Sequence, residues 1–143
     1  MKHTGRRSVL FILVTMIGFL LSTNSLLSAH GKLDHGFSVK EYELFHDVLH
    51  PLEHEALPQN DFKRIRGAAE ELVTRGEAIL KLGVPRGVEQ KYLNEFKEWL
   101  GKFGAALKRF KSDAEGGTDE QLKESYSSVH DSFEMLAAML PRK

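Results

Sequence analysis

Seven histidines occur in 143 residues, and three of them, His46, His50 and His54, recur every fourth residue in the string FHDVLHPLEHE, residues 45–55. Residues four apart on an α-helix lie one above the other, so each neighbouring pair can chelate one ion without folding strain. Glu53, seven residues after His46, shares that face. A fourth histidine, His130, is followed by Asp131, which can orient its imidazole, and has Glu134 one turn further on. Imidazole is the common borderline ligand for copper, zinc and nickel, and three histidines completed by a carboxylate or water suit all three. The expected ligands are therefore His46, His50 and His130, with Glu53, His54 or Glu134 completing the set. The plainer alternative is that these histidines only border the core and pair with Glu43, Glu53 and Asp131.

Other chemistry is poorly served. Cysteine is absent, which removes disulfides, thiolate metal sites, iron-sulfur clusters, covalently attached haem and an acylated anchor. No glycine-rich phosphate loop follows a strand and no serine occupies a nucleophile elbow, so no enzyme activity is expected. Twenty Lys and Arg balance twenty Asp and Glu, which leaves no basic excess to neutralise nucleic-acid phosphates.

The histidines need rigid elements to hold them. Ser38 with Glu41 reads as a capping box that starts a helix running to about Leu57, with Val39, Tyr42, Phe45, Leu49, Leu52 and Ala56 on its apolar face. Pro51, inside that run, predicts a kink. Asn60 or Asp61 caps a second helix that ends at Gly83. A third extends from about Val88 to Ala114, its stripe containing Tyr92, Phe96, Trp99, Phe103, Leu107 and Phe110. Thr118 with Gln121 opens a fourth, with Leu122, Tyr126, Val129, Phe133, Leu136, Ala137 and Leu140 facing inward. Four amphipathic helices with short connections predict an all-α, antiparallel up-down-up-down four-helix bundle over residues 38–143. In that arrangement His130 falls at the height of His46 and His50, and convergence depends on helix rotation.

Residues 1–29 have a charged start containing Arg6 and Arg7, an apolar run from Val9 to Leu21, and a small-residue stretch ending at Ala29. This is the layout of a cleavable signal peptide. Residues 30–37 read as a flexible leader. Cleavage removes three basic residues and no acid from a neutral chain, leaving a net charge of −3. The expected product is periplasmic or secreted, without stable membrane insertion, and a homodimer is compatible with it.

The fourth segment reads ESYSSVHDSF over residues 124–133. It resembles the cytochrome c′ and cytochrome b562 group, whose last helix carries the haem-ligating histidine, followed in c-type members by Asp and an aromatic. His130, Asp131 and Phe133 match, whereas Tyr126 and Val129 stand where the two attachment cysteines would. The resemblance implies a non-covalent b-type haem with His130 as axial ligand and His46 or His50 opposite, since the first helix lacks the methionine of b-type members. Three functions follow as expectations. The leading one is a metal-binding bundle that carries, buffers or senses a transition metal. A b-type haem electron carrier and a cofactor-free interaction or stress protein are the alternatives.

Overall fold

The computed structural model of the protein describes residues 36–141. The signal peptide expected over residues 1–29, and the leader up to residue 35, lie outside the described residues.

Four α-helices follow one another: α1 Lys40–Pro51, α2 Phe62–Leu82, α3 Leu93–Gly116 and α4 Asp119–Ala138. No strand occurs among the described residues. Local signals account for most boundaries. Asp61 accepts from the Arg64 amide at 3.0 Å to cap α2, and Gly83, with a φ of 70°, ends it in a conformation that L side chains resist. Thr118 and Gln121 form both bonds of the expected capping box at α4. The box expected at Ser38 is not made. The N-cap of α1 is Val39, whose side chain has no polar atom to cap with, and the Ser38 hydroxyl donates to the carbonyl of Pro141. The third helix starts later than its pattern suggests, after a turn of 3-10 helix over Gln90–Tyr92.

At Pro51 the regular register of α1 ends. The proline has no N–H to give and its ring crowds the preceding turn, and beyond it the chain widens into a π-helical turn over Leu52–Ala56. There the Leu57 amide reaches back five residues to Leu52 at 2.8 Å. The segment closes with Asn60 at a φ of 53°, while the Asp61 and Asn60 amides bond the carbonyls of Ala56 and Leu57 at 2.9 and 3.1 Å.

The core is the sum of the four apolar stripes. Phe96, Phe103, Leu107 and Phe110 of α3 and Leu122, Tyr126, Val129, Phe133 and Leu136 of α4 are buried, and α3 and α4 pack most extensively of all pairs. Tyr92 and Trp99, assigned to the same stripe by spacing, are only half-buried. Small residues set the closest approaches. A Cβ at Gly76 would stand 2.5 Å from Leu107 Cδ1, so α2 and α3 meet there only because the side chain is missing. Large rings separate α1 from α4. Phe133 packs on Phe45 at 4.8 Å and on Tyr42 at 5.8 Å between centroids, and Phe45 meets Phe103 edge-on at 5.3 Å.

Arg66 of α2 secures the α3–α4 connection. Its guanidinium donates to the carbonyls of Asp113 at 2.7 Å, Ala114 at 3.1 Å and Gly117 at 2.8 Å, and pairs with Asp119 at 3.0 Å. The Ala114 carbonyl, in the last turn of α3, is thus satisfied from a neighbouring helix, while that of Asp113 accepts the Gly117 amide as well.

Phe133 packs on Tyr42 and Phe45 of α1 in a closed interior, so Phe133→Ala is expected to cost about 3–5 kcal/mol. Urea denaturation measures this; a loss below about 1 kcal/mol would show that the α1–α4 seam collapses without penalty.

Candidate metal centre

The three histidines of α1 and its π turn form a continuous ladder. His46 and His50 have ring centroids 5.2 Å apart, and His50 and His54 only 4.4 Å apart. The wider pair lies within α1, and the closer one spans the junction of α1 with the π turn.

The surroundings change down the ladder. His46 is half-buried between Phe37, 5.3 Å away, and Phe133, 6.1 Å away and stacked. His50 is half-buried and His54 is exposed. The grooves between α1 and α2, lined by Asp47, Pro51 and Arg64 among others, and between α2 and α3, lined by Glu70, Glu77 and Lys111 among others, contain no histidine.

The other expected ligands do not join the ladder. Glu53 stands against the Tyr126 hydroxyl, with its Oε2 shielded from solvent. Glu134 is exposed on α4. His130 is half-buried and its Nδ1 lies 3.2 Å from the Asp131 carboxylate. Since a carboxylate only accepts, the bond assigns the proton to Nδ1 and leaves the Nε2 lone pair available, the orienting role expected of Asp131. Among the described residues no three His, Asp or Glu side chains are grouped to hold one ion. The convergence of His46, His50 and His130 that level-matching suggested is thus not made in this arrangement. The rotation of α4 is set by Val129 and Phe133, both fully buried, and it leaves His130, next after Val129, half-buried at the edge of that face.

Tyr126 is the functional neighbour that sequence spacing did not single out. Its hydroxyl donates to the carbonyl of Leu49 at 3.1 Å, one turn before the π segment, where the Leu52 amide also bonds. Burial first, and then the charge and hydrogen bonding of Glu53, push its phenol well above the ordinary value of 10.0. Burial alone does the same to Tyr42, whose hydroxyl has no hydrogen-bond partner among the described residues. Its place on the apolar stripe of α4 was the available sequence signal.

No protein-family model, curated protein or solved structure matches this chain.

Two outcomes follow from the tyrosines. Tyr126→Phe removes a buried bond and is expected to cost about 1 kcal/mol in urea denaturation. An unchanged stability would show that Leu52 alone satisfies the Leu49 carbonyl. Both phenols keep their protons when folded and return to 10.0 on unfolding. Below that pH both states are protonated and the stability is fully retained; above it the unfolded chain binds fewer protons, so stability falls as pH rises. Unfolding midpoints measured across the alkaline range should decline, and less steeply in Tyr126→Phe.

Proposed function

We propose that the protein is a metal-binding four-helix bundle, its helices alternating in direction, that carries, buffers or senses copper, zinc or nickel through the histidine face of α1. Alternation is supported by the pairs that join the first and last helices. Ser38 meets Pro141, Phe45 meets Phe133 and Leu49 meets Tyr126, so numbers rise along α1 as they fall along α4. The metal reading is carried by the His50–His54 pair, two imidazoles 4.4 Å apart between centroids, with His54 open to solvent. Side-chain rotation about such a pair brings two nitrogens to about 2 Å from a shared ion. The signal-like residues 1–29 support an extracytoplasmic place of action.

A haem between His46 and His130 would share the α1–α4 seam with Tyr42, Phe45 and Phe133, all fully buried there. That packing favours an ion on the face of α1 over a porphyrin inside the bundle.

The protein purified without an affinity tag is expected to hold copper, zinc or nickel in fixed proportion to chain, with no Soret band. His50→Ala and His54→Ala should lose it, and His130→Ala should keep it. Because imidazole must shed its proton to ligate, affinity should fall on acidification. A Soret band would transfer the function to haem and electron transfer. Neither metal nor haem after reconstitution would sink both readings and leave an interaction protein.

A further inference from the structure

Among the described residues, the His50–His54 pair supplies half of a closed site. Zinc held structurally takes four ligands in a tetrahedron, and no third His, Asp or Glu is grouped with the pair among the described residues. The flanking acids are committed elsewhere. Glu55 is paired with Arg64 at 2.8 Å, and Glu53 is turned to the Tyr126 hydroxyl in the seam with α4. His46 is sandwiched by Phe37 and Phe133.

We propose that the missing half is the same pair from a second copy of this chain, so that one ion, held by His50 and His54 of each copy, joins two bundles about a two-fold axis. The inference rests on the metal reading above and adds its stoichiometry and its partner. Two-fold symmetry makes the arrangement economical. A chelating pair is its own complement across such an axis, since rotation presents the same two nitrogens from the opposite side, and a symmetric dimer interface is built in this way. The place in the fold permits it as well. His54 is exposed, and the residues that follow the π turn, Pro58, Gln59 and Asn60, are exposed too. The two α1 ends can therefore approach without displacing packed core.

Zinc chloride titrated into the metal-free protein, followed by light scattering on a sizing column and by elemental analysis, tests this. The expected result is a doubling of mass that saturates at one zinc per two chains and is reversed by a chelator. His54→Ala, an exposed position whose loss leaves the core intact, should remain monomeric at every zinc concentration, whereas His130→Ala should dimerise like the parent. Saturation at one zinc per chain with no change in mass would overturn the shared site while leaving metal binding standing. Failure to bind zinc, copper or nickel would overturn both. A dimer that forms equally without zinc, or in His54→Ala, would place the contact elsewhere and also overturn the proposal.

Discussion

The missing N–H of Pro51 is the constraint around which the histidine face is arranged. A proline inside a helix removes one rung of the hydrogen-bond ladder and forces the backbone to find another register. Here the register found is the π turn over Leu52–Ala56. Two consequences run outward from it. On the solvent side, the turn carries His54, whose ring lies 4.4 Å from that of His50. On the core side, the carbonyl of Leu49 accepts the Tyr126 hydroxyl across the seam to α4. One backbone irregularity thus couples the outer face of α1 to the packing of its inner face.

The bundle has two kinds of helix contact. Where α2 meets α3, the bare backbone of Gly76 admits Leu107, and on α4 the buried hydroxyls of Ser125 and Ser132 fold back onto their own helix carbonyls at 3.0 and 2.7 Å. Such positions take little room and leave no polar group unsatisfied. Between α1 and α4 the space is filled by Tyr42, Phe45 and Phe133 instead. Aromatic packing of that sort is geometrically selective, because tilted and edge-on rings tolerate few relative rotations. The facing sides of α1 and α4 are fixed accordingly, and with them the outward displacement of His130.

Much of the helical pattern was legible in the residues because it depends on short-range chemistry. Thr118 with Gln121, Asp61 before Phe62 and Gly83 after Leu82 act within a single turn, and the buried stripes of α2 and α4 follow their spacing. Errors arose where a distant partner or the edge of a stripe intervened. Ser38 looks like a cap until Pro141, 103 residues on, takes its hydroxyl. Tyr92 and Trp99 keep the helical spacing of their stripe, but its edge is half-exposed, where Lys102 lies 4.1 Å over the Trp99 ring. The i, i+4 histidines could be read directly, since one helix holds them. The position of His130 relative to them could not, since height along an axis follows from counting residues while rotation about it follows from which large side chains win the interior. That Pro51 interrupts the helix was legible, but not that the chain continues beyond it as a π turn.

The bond between Ser38 and Pro141 brings the two ends of the helical domain to one spot. In mechanical terms the bundle is held at a single corner. A pulling force applied through both termini would load that corner in the manner of a zipper, peeling α1 from α4 one aromatic layer at a time instead of shearing the whole seam at once. The same proximity makes the domain suited to insertion within a host loop, where both connections must enter and leave at nearly the same point.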